Sequence, residues 1–319
     1  PMYNVLVTNE CGDAFRKTLV NEFKDSCRFE FLPVNDSPDA IKKADIIIGE
    51  PAPELILSAG RLKWVQMTFA GADMYTKKGA FPDGVLLTNV SGAFGAIISE
   101  YVIGVILENY RHFSKYRDNA KRYLWRDEGA EKTLEGRRAL IFGAGDIGTN
   151  IAKRLKAFDV ATVGVKRDVG RIPPFFDEIC GTDGAKSMIK DADIVISCLP
   201  GTAETHHLFG YDEFKALKED AIFINVGRGS AVDTAGLVKY LNEGHGADFV
   251  LDVLETEPLI SDSPLWEHKN VFITPHISGK GLGHAPGTER KVWEICTGNL
   301  RRFIAGEPLL HIVDMEKGY

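Results

Sequence analysis

Short apolar runs separated by amphipathic stretches recur along most of this 319-residue chain. That is the rhythm of parallel strands covered on both faces by helices. An early series comprises Tyr3–Val7, Ala44–Gly49 and Leu62–Met67. A later one comprises Ala139–Phe142, Ala161–Val165, Ile194–Ser197, Ala221–Asn225, Phe249–Asp252 and Val271–Thr274. Most are rich in the β-branched and aromatic residues that fit a buried pleated surface. Between the series, Gly95–Tyr123 keeps apolar residues at helical spacing and predicts one long helix. A polar segment, Arg126–Arg138, follows it. Another helix is expected over Thr288–Ala305, then a tail to Tyr319. Because the later series is complete near Thr274, this last helix and tail are expected to return to the first unit.

The strand Ala139–Phe142 runs directly into Gly143-Ala144-Gly145-Asp146-Ile147-Gly148, and helical spacing resumes at Thr149–Phe158. Strand, G-x-G-x-x-G and helix together point to dinucleotide binding. Gly143 permits the tight turn, Gly145 lets backbone approach a pyrophosphate, and Gly148 allows close helix–strand packing. The helix N-terminus adds free N–H groups and partial positive charge. The fold class expected is therefore α/β, with a Rossmann-type, doubly wound parallel sheet.

Eighteen residues past Gly148, where an NAD site places an acid for the ribose 2′-hydroxyl, stands Lys166, then Arg167. Neither accepts a hydroxyl proton, and two cations attract a 2′-phosphate. NADP(H) is the expected coenzyme. Asp168 is the alternative acid, which leaves NAD(H) open, and both cations could instead be solvated strand-end charges.

Composition narrows the partners. Hydrophobic residues make up 44% of the chain and charged residues 26%, with a formal net charge of −7. That balance excludes disordered and fibrous classes and disfavours nucleic acid and anionic membranes. No uncharged apolar run reaches membrane-spanning length; Phe94–Leu107 is interrupted by Ser99 and Glu100. The five cysteines are scattered and form no C-x-x-C pair, which argues for a reducing compartment. Pro1–Val5 has neither a basic nor an apolar leader pattern, so a cytoplasmic protein is expected.

Three segments follow later strands, where open parallel sheets place ligands. They are Asn225-Val226-Gly227-Arg228-Gly229, Leu251–Pro258 and Thr274–Gly279. Together they offer a guanidinium, a carboxylate and an imidazole. This set suits reduction of a 2-oxo acid: Arg228 to hold the carboxylate and polarise the carbonyl, His276 to donate a proton, and an acid to favour its protonated form.

Thr88–Gly279 resembles the D-isomer-specific 2-hydroxyacid dehydrogenases, in their glyoxylate/hydroxypyruvate reductase-like branch. The resemblance rests on the glycine loop, Cys198-Leu199-Pro200 with Glu204-Thr205, Asn225–Gly229, Leu251-Asp252-Val253 with Glu257-Pro258, Ser263–Trp266 and Thr274-Pro275-His276. It implies that Arg228 binds substrate, that Glu257 pairs with His276, and that His276 is the general acid/base. Asp252 would lie by the nicotinamide carboxamide. Ala70 and Gly71, in Phe69–Asp73, would offer backbone N–H groups to the substrate carboxylate. The coenzyme-binding residues expected are Gly143, Gly145, Asp146, Ile147, Gly148, Lys166, Arg167, Leu199, Pro200, Thr205, Val226, Gly227, Arg228, Asp252, His276, Ser278 and Gly279. The resemblance further implies a homodimer whose Rossmann-type cofactor domain, residues 101–285, is inserted in a smaller flavodoxin-like α/β substrate domain, residues 1–100 and 286–319.

Departures from the family pattern are Asp146, where Arg is frequent, Asp159, where Gly is usual, and Ala72, where a larger apolar residue is common. An acid at 146 opposes a pyrophosphate unless it turns away or is paired. The remaining histidines show no metal-ligand spacing, and His206-His207, read as strand, would point apart; no metal is expected. Trp125 is expected to pack in the core, the alternative being to reach a partner's active site as an aromatic does in some relatives. Formate dehydrogenases place Gln where Glu257 stands, which argues against that activity. A dinucleotide-sensing corepressor or scaffold of the same fold is the rival of another class.

Overall fold

The structure is a computed structural model that describes residues 2–33 and 38–319. The chain divides into two compact units, Pro1–Phe94 with Lys280–Tyr319, and Gly95–Gly279. The divides fall a few residues before 100/101 and 285/286.

The first unit is built on a wholly parallel sheet of β1 (Tyr3–Val7), β2 (Cys27–Phe31), β3 (Ile46–Ile48), β4 (Trp64–Gln66) and β5 (Leu86–Thr88). Its spatial order, β2-β1-β3-β4-β5, is the flavodoxin-like one. Helices α1 (Asp13–Phe23), α2 (Pro38–Lys43) and α3 (Pro53–Leu57) lie in the early connections. Central strand β3 is buried at every position because both faces are covered. The pattern does not predict β2 or β5. Arg28 and Glu30 interrupt the first, a half-buried edge strand, and the second has only three residues.

The second unit opens with α4 (Gly95–Tyr110) and α5 (Phe113–Lys121), which replace the single helix expected over Gly95–Tyr123. His112 between them takes a left-handed φ of 51°, which cannot continue an α-helical ladder. Trp125 does not pack in the core: it lies fully exposed beyond α5, with no apolar surface over it among the described residues. Seven parallel strands follow: β6 (Arg138–Phe142), β7 (Ala161–Val165), β8 (Glu178–Cys180), β9 (Ile194–Ser197), β10 (Ile222–Asn225), β11 (Asp248–Leu251) and β12 (Val271–Ile273). Helices α6 (Asp146–Lys156), α7 (Thr182–Met188), α8 (Tyr211–Lys215) and α9 (Thr234–Asn242) cover them. The order β12-β11-β10-β9-β6-β7-β8 reverses direction between β6 and β9, which makes their carboxyl ends the crevice for a ligand.

The core on one face of this sheet is aromatic. Phe142, Phe209, Phe214, Phe223 and Phe249 meet largely edge to face at 4.8–5.8 Å. Such contacts add to the area they bury. Asp159 before β7 adopts φ 57°, the left-handed backbone that Gly takes most readily and Asp tolerates better than most residues. Helix α10 (Pro286–Ala305) then rejoins the first unit, as the early completion of the later strands predicts. Phe303 stacks on Trp64 with centroids 5.2 Å apart, and Asn299 Nδ2 donates to Gln66 Oε1 at 2.8 Å. Among the described residues no helix is long and apolar enough to cross a membrane.

Candidate active site

The glycine loop sits at the β6–β9 switch. Gly143 has φ 99°, and a Cβ there would stand 2.9 Å from the Cys198 carbonyl oxygen. A Cβ on Gly148 would lie 2.0 Å from the Gly143 carbonyl oxygen, an impossible approach. Gly227 after β10 is equally tight, 2.5 Å from the Leu199 carbonyl oxygen. Gly145, by contrast, faces open space and caps α6. Three glycines thus draw the Cys198–Leu199 turn, β10 and α6 together, while the fourth leaves backbone N–H groups accessible. This cradle fits a dinucleotide pyrophosphate at a helix N-terminus. Asp146 and Ile147 form the first turn of α6, and the Asp146 carboxylate accepts from Asn150 Nδ2 at 3.1 Å.

Lys166 and Arg167 follow β7, with Lys166 half-buried and Arg167 exposed. Arg167 forms an ion pair with Glu204 at 3.1 Å. Asp168 closes its own turn by accepting the Gly170 N–H at 2.9 Å, which occupies one oxygen of the alternative ribose ligand. Leu199 and Pro200 begin the turn after β9. Thr205 Oγ1 donates to the Pro200 carbonyl at 2.6 Å and accepts the Thr202 N–H at 3.0 Å, closing that turn. His206 and His207 are not strand residues pointing apart. They stand in this turn, where φ 51° at His207 brings the two rings into a stack 3.9 Å apart.

The loop that carries His276 hangs on one buried carboxylate. Asp252, 1% exposed, accepts Thr274 Oγ1 at 2.6 Å and the Ile277 N–H at 2.8 Å through Oδ1, and the Ser278 N–H at 3.0 Å through Oδ2. The Asp252 carbonyl receives the His276 N–H at 2.9 Å. His276 adopts φ 53°, a conformation this surrounding set of bonds enforces. Its Nδ1 lies 2.9 Å from Glu257 Oε2, while Glu257 Oε1 takes the Leu254 N–H at 2.9 Å. With Nδ1 engaged, Nε2 is the nitrogen left to exchange a proton. Arg228 is placed by Asn225, whose Nδ2 donates to the Arg228 carbonyl at 3.0 Å, and its own Nη1 donates to the Gly227 carbonyl at 3.0 Å. Val226 and Gly227 are buried, as is Ser278; Gly279 is half-buried.

One residue in this network belongs to no motif. Tyr101 on α4 hydrogen-bonds Thr274 Oγ1 at 2.6 Å, extending a chain from the phenol through Thr274 to Asp252. Burial, with the nearby Asp252 charge, pushes the phenol up to about 12 despite that bond. Its only signal is a polar tip in an apolar helix. In the first unit, Ala70 and Gly71 are half-buried after β4, and Asn89 Nδ2 holds the Ala70 carbonyl at 2.9 Å. Glu50 underlies this loop by accepting from the Thr68 N–H and hydroxyl and from Asn9. Burial raises the Glu50 carboxyl against those bonds. A lone acid after an entirely apolar strand is the only sequence sign of it.

The family description "D-isomer specific 2-hydroxyacid dehydrogenase, NAD binding domain" matches residues 103–278. The chain belongs to this family. A D-isomer-specific 2-hydroxyacid dehydrogenase family protein from Aeromonas salmonicida subsp. salmonicida is 34% identical, with a TM-score of 0.87, covering 98% of this chain and 99% of that one. The glyoxylate reductase of Thermofilum pendens is 30% identical over 99% of this chain and 92% of its own. An NADPH-dependent glyoxylate/hydroxypyruvate reductase from Sinorhizobium meliloti, solved with NADP and sulfate, is 26% identical, with a TM-score of 0.82 and 99% and 100% coverage. At the level these relationships carry, the chain is an oxidoreductase of the 2-hydroxyacid dehydrogenase type that binds a nicotinamide dinucleotide.

Proposed function

We propose that this dehydrogenase reduces a small 2-oxo acid, of the glyoxylate or hydroxypyruvate kind, to the D-2-hydroxy acid with NADPH as the preferred coenzyme. The observation that carries the reading is the His276–Glu257 pair at 2.9 Å, on a loop organised by Asp252 beside the glycine cradle. When bound, a nicotinamide dinucleotide would supply the hydride. His276 gives its Nε2 proton to the alkoxide that forms at C2, so the hydride becomes the new C2–H bond and the former carbonyl oxygen, with the proton, becomes the hydroxyl. Glu257 fixes the ring's tautomer and balances the imidazolium charge before transfer. Arg228 binds the substrate carboxylate and stabilises the developing oxyanion, a contribution of several kcal/mol where water is excluded. The backbone N–H groups at Ala70 and Gly71 are further proposed carboxylate donors, carried over from the family resemblance.

The coenzyme preference rests on Lys166 and Arg167, and relatives solved with NADPH or NADP support it. A cytoplasmic homodimer completes the proposal, and light scattering on the purified protein tests the assembly. The activity is tested by following coenzyme oxidation with hydroxypyruvate, glyoxylate, pyruvate and a branched 2-oxo acid, NADPH beside NADH. Faster turnover with NADPH on the small acids is expected. A clear NADH preference overturns the role of the two cations and leaves the reductase standing. Tight coenzyme binding without turnover on any acid overturns the reductase in favour of a dinucleotide-sensing binding protein.

A further inference from the structure

A second constellation lies on the same unit, outside the hydride-transfer machinery. We propose that His206, His207 and Glu255 form a surface site for one divalent transition cation of the Zn2+ or Ni2+ class. One ligating atom from each residue lies within 4.8 Å of the others. Ligand atoms around a tetrahedral zinc stand about 3.3 Å apart, so closing the site takes on the order of 1 Å of side-chain adjustment.

Two of the three ligands already meet in a hydrogen bond that a metal ion would replace, separating the two atoms by about 0.8 Å more. His207 Nε2 is 2.5 Å from Glu255 Oε1. The other carboxylate oxygen of Glu255 accepts the Thr234 N–H at 2.7 Å, the kind of outer hydrogen bond that orients a metal-binding carboxylate. The turn itself is pinned, with the His207 N–H on the Ser230 carbonyl at 2.8 Å and the Phe209 N–H on the Ala231 carbonyl at 2.9 Å.

His206 is the adjustable ligand. Its ring is exposed, makes no hydrogen bond among the described residues, and stacks on His207 at 27° between planes. Because imidazole lone pairs lie in the ring plane, coordination requires the His206 ring to turn out of this stack, and its exposure leaves it room to do so. Two imidazoles and one carboxylate form a borderline donor set that selects Zn2+, Ni2+ or Cu2+ over Mg2+ and Ca2+. Three protein ligands leave the remaining positions to water.

The test uses the full-length, tag-free protein after chelator treatment, with Zn2+ titrated calorimetrically and bound metal counted after equilibrium dialysis. One Zn2+ per chain at micromolar affinity is expected, not displaced by an equal concentration of Mg2+. His206→Ala and Glu255→Gln should each weaken binding about tenfold or more. The metal-free His206→Ala protein should melt with the parent, because that ring is exposed and makes no hydrogen bond among the described residues. Absence of stoichiometric binding, or binding undiminished in both variants, overturns the site. Displacement by an equal concentration of Mg2+ would show that the imidazoles are not ligands.

Discussion

The glycine cradle and the His276 loop stand at strand ends of the same sheet and are held by opposite means. The cradle is assembled by missing side chains: at Gly143, Gly148 and Gly227 a single added carbon would collide with a carbonyl oxygen 2.0–2.9 Å away. The loop is assembled by one side chain, Asp252, whose two oxygens gather Thr274, Ile277 and Ser278. Close backbone packing tolerates almost no change in volume. A hydrogen-bonded loop fails in graded steps, as each bond is worth about 1 kcal/mol. Coenzyme binding should therefore be lost abruptly by steric changes, and proton transfer in increments by polar ones.

The largest expected effect separates chemistry from both scaffolds. His276→Ala should lower kcat about a thousandfold. Its coenzyme Kd, read by fluorescence titration, should stay close to the parent value. A parallel loss of coenzyme affinity would mean that the imidazole belongs to the binding scaffold. Next, Gly148→Ala should weaken coenzyme binding about a hundredfold and cost about 1–3 kcal/mol in denaturant unfolding. Unchanged affinity would break the steric account of the cradle.

Asp252→Asn keeps the shape but replaces an acceptor oxygen with a donor that faces donors. A fall in kcat of about thirtyfold with a lowered melting temperature is expected, the cost of buried donors left unmatched. Full activity in this variant would show that the loop holds without its carboxylate. Tyr101→Phe removes only the outer link of the chain through Thr274. It should cost about 1 kcal/mol of stability and reduce turnover a few-fold. The smallest effect concerns the coenzyme's far end: Glu204→Gln removes an exposed partner of Arg167 and should shift the ratio of kcat/KM toward NADPH by at most about fivefold. A shift toward NADH would oppose a 2′-phosphate role for Arg167.

Much of the architecture was legible from local pattern. Parallel strands buried on both faces are continuous apolar runs, so the five inner strands from Ala139 onward are visible in the pattern, and half-exposed edge strand β12 shows as the apolar run Val271–Ile273. Edge strands β2, β5 and β8 are short or interrupted by charge and leave little signal. The break at His112 was hidden for another reason: helical spacing continues through it, and a single left-handed residue has no periodicity. Trp125 and the His206–His207 stack depend on what surrounds a turn, which spacing does not report.

By itself, the order of residues determined the two α/β units, the glycine loop opening a helix, and the types of group available for proton transfer. Backbone periodicity and missing side chains are local properties, written in neighbouring positions. Tertiary structure alone decided which polar groups meet. Tyr101 reaches Thr274 across 173 positions, Arg167 finds Glu204 across 37, and His276 is turned into a left-handed conformation by a loop wrapped around Asp252. Those contacts arise because the sheet brings the ends of distant strands together, and a buried carboxylate there must collect whatever donors the fold delivers.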